Sequence, residues 1–241
     1  MKLKNKLIYI SGSSRRIGRS IALSIARAGG DLIIHHNKSK NDAESLKAEI
    51  EYIGQKVVVV QVDFSDPVAT QKHADTIFRD YPVYGLINNA SLFSNLGWLD
   101  TNLVNWQQHL DVNLTAPFFL SQSFAKSLPD NTTGRIINML DWRAFRPGID
   151  HLPYTISKSG LLALTQSLAQ SLAPRITVNG IALGAILPPS DGGGDDQIIA
   201  NIPNPRWAHI EEVEETVEFL LTGPEYITGE VIHLDGGRHL I

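Results

Sequence analysis

Short apolar runs and helix-period segments take turns along the whole chain, and this alternation restricts the fold more than any other feature. Strands are expected near Leu7 to Ser11, Asp31 to His36, Val57 to Val62, Tyr84 to Asn88, Arg135 to Leu140, Arg175 to Ile181 and Glu230 to Leu234. Most of these are continuous apolar runs, as in strands buried on both faces. They predict an α/β fold: one seven-stranded parallel sheet with crossover helices on both faces. Helical periodicity fills the gaps near Arg16 to Ala28, Lys40 to Tyr52, Pro67 to Asp80, Asn102 to Leu128, Pro153 to Ala173 and His209 to Leu221. In the last of these Ile210, Val213, Val217 and Leu220 form one stripe, with five glutamates mostly outside it, so the acidic run reads as a solvated face. With no repeat, linker or low-complexity tract, residues 1–241 read as a single domain. The irregular stretch Leu183 to Trp207, with four Pro and four Gly, is long enough to read as either a functional loop, here a substrate loop of about 183–207, or a disordered one.

Composition limits the chemistry. The chain has 43% hydrophobic and 19% charged residues, as ordinary globular proteins do. It has no Cys, which excludes disulfides, Cys-ligated zinc, iron-sulfur clusters and thiol nucleophiles; no metal site is read elsewhere. A net charge of -4 lacks the basic field of a nucleic-acid binder and leaves a small molecule as the expected partner. The lysines of MKLKNKLIYI precede too short an apolar stretch for a signal peptide. Arg19 and Arg27 interrupt what would be the apolar segment of a twin-arginine signal at Arg15 and Arg16. The longest uncharged run, Ser159 to Pro174, is 16 residues and short of the ~20 a membrane span needs. A soluble, cytoplasmic protein is expected.

The first strand runs through Gly12-Ser13-Ser14-Arg15-Arg16-Ile17-Gly18 into a helix. Glycines at such a turn let backbone approach a pyrophosphate, and unpaired N–H groups at the helix start stabilise its charge. The spacing is G-x5-G and not G-x-G-x-x-G, so a plain tight turn explains the glycines almost as well; the position after the first strand favours cofactor binding. Where NAD-specific sites place a carboxylate, the second strand ends in His35-His36-Asn37-Lys38-Ser39-Lys40. Lys38, Ser39 and His35, with Arg15 or Arg16, could neutralise a 2'-phosphate and so select NADP; the alternative is a solvated basic turn. Tyr154 and Lys158 are spaced i, i+4 behind Pro153, so one helix face holds phenol and ammonium together, which favours phenolate. Tyr52 and Lys56 share that spacing but straddle Gly54, where no helix aligns them. Asp141 and Asn88-Asn89 stand at the carboxyl ends of strands, where open parallel sheets gather active groups, although a capped turn accounts for either.

In order and spacing, Ser11-Gly12 through Gly18, Asp63, Asn88-Asn89-Ala90, Asn113, Tyr154 to Lys158, and Gly229 with Asp235-Gly236-Gly237 resemble the short-chain dehydrogenase/reductase family over nearly the whole chain. The resemblance implies a single Rossmann-like domain and a nicotinamide cofactor. Tyr154 would be the proton donor, Lys158 would bind the nicotinamide ribose and lower the phenol pKa, and Asn113 would support a relay water. Gly12, Arg15, Arg16, Ile17 and Gly18 would line the cofactor's phosphates, Asp63 would meet the adenine with Phe64 beside it, and Asn89 and Ala90 would lie near a sugar. Homotetramers packing through the helices of Asn102 to Leu128 and Pro153 to Ala173 are the family's common assembly.

Four positions depart from the family pattern: Arg16 replaces the middle glycine, Asp141 the catalytic serine, Ser91 the last Gly of NNAG, and Leu183-Gly184 the Pro-Gly after the sixth strand. Most of these, with the ending Leu234-Asp235-Gly236-Gly237-Arg238-His239-Leu240, resemble the pteridine reductases and bacterial dihydromonapterin and dihydrofolate reductases. That likeness implies NADPH held by His35, Lys38 and Ser39, Arg16 reaching phosphate and pterin, Phe93 stacking on the pterin with Ser91 nearby, and Asp141 working with Tyr154. The expected activity is therefore NADPH-dependent reduction of a pterin-type C=N bond. The rivals are a carbonyl reductase, such as one acting on 3-oxoacyl thioesters, and a non-catalytic NADP-binding sensor.

Overall fold

The computed structural model describes residues 2–188 and 197–241. Its seven strands are β1 (Leu7–Ile10), β2 (Asp31–His36), β3 (Val57–Gln61), β4 (Gly85–Asn88), β5 (Gly134–Asp141), β6 (Ile176–Leu183) and β7 (Val231–Leu234). They form one parallel sheet in the order β3-β2-β1-β4-β5-β6-β7, as the alternation requires.

Why most of the strands are apolar runs is visible in the two cores. Successive side chains of a strand point to opposite faces. Ile8, Ile10, Leu32, Ile34, Ile137 and Met139 join one core with Ile21, Ile25, Leu46, Ile50, Val213 and Val217. Tyr9, Ile33, Leu86, Ile136 and Val178 join the other, with Ala74, Ile77, Phe78, Leu120 and Phe124. The first core is covered by α1 (Arg16–Arg27), α2 (Lys40–Ile53) and α8 (Ile210–Thr222); the second by α3 (Pro67–Asp80), α5 (Ala116–Ser127) and one side of α6 (Leu152–Leu172). In α8 the apolar stripe is buried, and its start is fixed by a capping box between His209 and Glu212.

The single helix expected over Asn102 to Leu128 is divided. Helix α4 (Leu103–Leu110) passes into a π turn, Asp111–Thr115, and then into α5. Within the π turn's reach the Ala116 N–H bonds the Asp111 carbonyl five residues back. Pro117 has no N–H with which to meet the Asn113 carbonyl, so regular α-helix cannot pass this point unbroken. Within the expected loop from 183 to 207, β6 continues to Leu183, α7 spans Gln197–Ala200, and Ala208 N–H donates to the Ala185 carbonyl at 2.9 Å. Residues 189–196 lie outside the described residues.

Candidate active site

The sheet order reverses between β1 and β4: one leads outward to β2 and β3, the other to β5, β6 and β7. A crevice opens at the carboxyl ends of the strands at such a point, and the candidate residues collect along it in two groups.

The first group surrounds Gly12, whose φ is +62°. A Cβ there would lie 2.7 Å from Ala90 Cα, and one on Gly18 would overlap the Gly12 carbonyl and come within 2.6 Å of Asn89 Nδ2. Asn89 donates from Nδ2 to the carbonyls of Ser11 (3.0 Å) and Gly12 (2.9 Å), while the N–H groups of Asn89 and Ala90 both donate to Ser11 Oγ. Asn89 and Ala90 thus brace the turn. Helix α1 starts beyond it with no side-chain cap and no acidic residue in its first turn, which leaves N–H groups for an anion.

His35 takes a different role from the one expected. Its Nδ1 accepts the Gly12 N–H at 3.0 Å, which places the ring hydrogen on Nε2, 3.0 Å from the Val62 carbonyl. The ring is stacked on Phe64 with centroids 4.1 Å apart, and burial pushes its pKa down to about 3. His35 is neutral and saturated, so it supplies no charge to a phosphate, and Phe64 is buried beneath it. Arg15 pairs with Asp42 at 2.6 Å. Arg16, at φ +51°, donates to the Pro188 carbonyl at 2.9 Å. Lys38 is exposed and Ser39 stands just ahead of α2, so these two remain the groups open to a 2'-phosphate. Asp63 is exposed and held below the usual carboxylate range, chiefly by the Ser65 N–H. Ile17 packs against the first core.

The second group lies across β5 and α6. Tyr154 Oη donates to Asp141 Oδ2 at 3.0 Å, and the Arg143 N–H donates to Asp141 Oδ1 at 2.9 Å. Lys158 Nζ donates to the Met139 carbonyl at 2.7 Å and lies 5.7 Å from the Tyr154 ring centroid. Burial raises Asp141 above the ordinary carboxylate value and lowers Lys158 to about 8. The phenol, expected to be lowered by Lys158, is instead raised well above its ordinary value, by burial first and by the Asp141 charge second. The carboxylate has the shorter reach: it accepts the phenolic hydrogen, and ionising the phenol would put two anions in contact.

Asn113, fully buried in the π turn, donates from Nδ2 to the Leu92 carbonyl and to Ser157 Oγ, both at 2.9 Å; its Oδ1 accepts from Leu92 N–H and Ser91 Oγ. That uses the whole capacity of its amide, so the side chain clamps the segment carrying Ser91 and Phe93 and has no group left for the relay water expected of it. Phe93 is 55% exposed, stacked on His151 at 4.2 Å and edge-on to Tyr154 at 4.7 Å, which makes it a wall beside the phenol.

Sequence reasoning missed Arg143, Trp142, Ser157 and His151. Trp142 and Arg143 directly follow Asp141, so the strand-end rule that found the aspartate also reached them. His233, Asp235 and His239 bring three potential metal-ligating atoms within 4.8 Å of one another. Asp235 is already occupied by the N–H groups of Gly237 and His239 and by His239 Nδ1, and the two imidazoles are stacked 3.9 Å apart at 25°.

Residues 6–195 match the family model described as short chain dehydrogenase. The chain is 32% identical to the 3-oxoacyl-(acyl-carrier-protein) reductase FabG of Aquifex aeolicus, over 98% of each chain. To the 3-oxoacyl-(acyl-carrier-protein) reductase of a Synechocystis species it is 30% identical, over 98% of this chain and 97% of the relative. Among solved structures it is similar to FolM, alternative dihydrofolate reductase 1 from Brucella canis, complexed with NADP: TM-score 0.89 and 33% identity, covering 100% of this chain and 97% of that one.

Proposed function

The chain belongs to the short-chain dehydrogenase family, and on that footing we propose that it is an NADPH-dependent reductase of pterin-type C=N bonds. The observation that carries this reading is the Tyr154–Asp141 hydrogen bond, which puts a carboxylate where ketone reduction would want a neutral donor.

The turn fits a dinucleotide phosphate: two glycines leave no room for a side chain, the start of α1 is uncapped, and no acidic residue stands in its first turn. Lys38 and Ser39 would meet a 2'-phosphate, and Lys158, one turn along the helix from the phenol, a ribose hydroxyl. When bound, the nicotinamide supplies a hydride, which adds to the carbon of the C=N bond.

The protein's own part is the matching proton, delivered to the nitrogen from Tyr154 Oη. Asp141 orients that hydroxyl by accepting from it and, being raised by burial, takes up and returns protons nearer neutrality than an exposed carboxylate would. A pterin also presents N–H donors for a carboxylate to accept. An oxygen becoming negative beside Asp141 would be repelled by several kcal/mol, about 4 at close contact with an effective ε near 20. Phe93 offers a flat face for a heterocycle. The FolM likeness supports this reading.

The second reading, a 3-oxoacyl-thioester reductase, has the two curated relatives in its favour and requires Asp141 to be protonated and to donate. NADPH oxidation measured with dihydrobiopterin, dihydrofolate and acetoacetyl thioester side by side separates the two. We expect turnover of the pterins, its loss in Asp141→Ser, and any gain in that variant to be on ketones. Efficient reduction of the thioester with none of the pterins overturns the proposal.

A further inference from the structure

The ending Gly237-Arg238-His239 is not used by the mechanism above, yet it folds back onto the site. β7 ends two strands from β5, with Leu183 of β6 in register with both Asp141 and Leu234. The turn after β7 carries Arg238 over the ring of Trp142, the residue following Asp141, with its guanidinium carbon 4.1 Å from the ring centroid. Arg143 also lies on that ring, at 4.8 Å, and reaches to 5.8 Å from the ring of Phe93. A continuous wall of aromatic and guanidinium groups therefore leads from Phe93 through Arg143 and Trp142 to Arg238.

The charges along this wall are unequal in their commitments. Arg143 faces Asp150 at 3.1 Å and Asp141 at 3.9 Å, though its buried Nε has no hydrogen-bond partner among the described residues. Arg238 is partly buried and makes no side-chain hydrogen bond or ion pair among the described residues. Asp235, the acid nearest in sequence, is taken up by Gly237, His239 and the His239 ring. Burial and the neighbouring Arg143 both disfavour the charge on Arg238, but a guanidinium stays protonated at neutral pH. A partly desolvated cation over an indole, with no side-chain donor committed among the described residues, is suited to a planar bidentate anion.

We propose that Arg238, aided by Arg143 and seated on Trp142, is a subsite for a carboxylate on the tail of the substrate. It rests on the pterin reading and narrows it: among pterins the site favours those whose tail is an aryl group ending in a carboxylate over those with a neutral tail. The aryl group would lie along Trp142 and the carboxylate on the Arg238 fork.

The test compares wild type, Arg238→Gln and Arg238→Lys in steady state, with dihydrofolate and with dihydrobiopterin, alongside NADPH affinity as a check on folding. For Arg238→Gln the KM for dihydrofolate should rise roughly tenfold, as expected for loss of one charge-assisted contact, with kcat unchanged and both constants for dihydrobiopterin unmoved. Arg238→Lys should recover part of the loss. Equal KM changes for both substrates, or none for dihydrofolate, overturn the subsite. Should wild type reduce neither pterin, the functional reading fails, and calorimetry of 4-aminobenzoyl-glutamate with the NADP-loaded protein decides the subsite separately. Binding weakened about tenfold in Arg238→Gln supports it, whereas equal or undetectable binding in both proteins overturns it.

Discussion

Around Gly12 the contacts are made by backbone groups and by side chains that carry no charge: Asn89, Ser11 and a neutral His35. Around Asp141 they are made by groups that titrate, and Tyr154, Lys158 and Asp141 all sit away from their ordinary pKa values. The two regions lie at the carboxyl ends of strands in one sheet. The first is specified by shape, so adding an atom should damage it. The second is specified by protons, so removing an atom should silence it while the fold stays.

The largest effect should come from taking one oxygen out of the titrating region. Tyr154→Phe should lower kcat by about 10²- to 10⁴-fold, the usual worth of a positioned general acid, and leave NADPH affinity nearly unchanged. Wild-type turnover by this variant would remove Tyr154 from the mechanism and with it the contrast.

Next in size is the addition of one carbon to the neutral region. Gly12→Ala puts a Cβ 2.7 Å from Ala90 Cα at a residue with φ +62°. The left-handed conformation costs roughly 1–2 kcal/mol and overpacking a further 1–3, so urea unfolding should show a loss of about 2–5 kcal/mol. A loss below 1 kcal/mol would mean that the turn gives way and shape does not specify it.

The smallest effect sharpens the comparison through pH. The folded His35 has its pKa lowered to about 3 from an ordinary 6.5, so in that window the unfolded chain holds the extra proton. The contribution of neutral His35 is complete above pH 6.5 and is lost as pH falls towards about 3, by up to ~1.4 kcal/mol per pH unit. His35→Gln, which can still accept from Gly12 and donate to Val62, should flatten this limb in urea midpoints taken from pH 7 to 4.5. Parallel curves for the two proteins would show that His35 takes up its proton in the folded state as readily as in the unfolded chain.

The same division explains what could be read from the sequence. The strands were legible to within about two residues because the five inner ones are buried on both faces, and a run such as Leu32-Ile33-Ile34 must then be apolar at every position. The glycine turn was legible because only glycine fits at 12 and 18. The residues of the titrating region were legible by position, since strand ends and the Tyr154–Lys158 spacing place them. Their protonation was not, because the phenol is governed by an aspartate 13 residues away on another element and by burial, neither of which local spacing contains. For the same reason His35 looked like one of several cations, although its two ring nitrogens are spent on backbone partners just beyond β1 and β3. The break at Asn113 was partly announced by Pro117, but the clamp on Leu92 that accompanies it joins segments 21 residues apart.

Arg16 belongs to both neighbourhoods: its backbone opens α1 beside the glycine turn, and its guanidinium holds the carbonyl of Pro188, in the segment that follows β6. A single side chain with two claimants makes their occupancies interdependent. Any ligand at the turn that recruits this guanidinium alters the free energy of the segment after β6, and any ligand that needs that segment held alters the affinity of the turn. Thermodynamic reciprocity makes the two factors equal. Arg16 is thus where the order of filling of the two halves would be written, as a coupling constant and not as a contact.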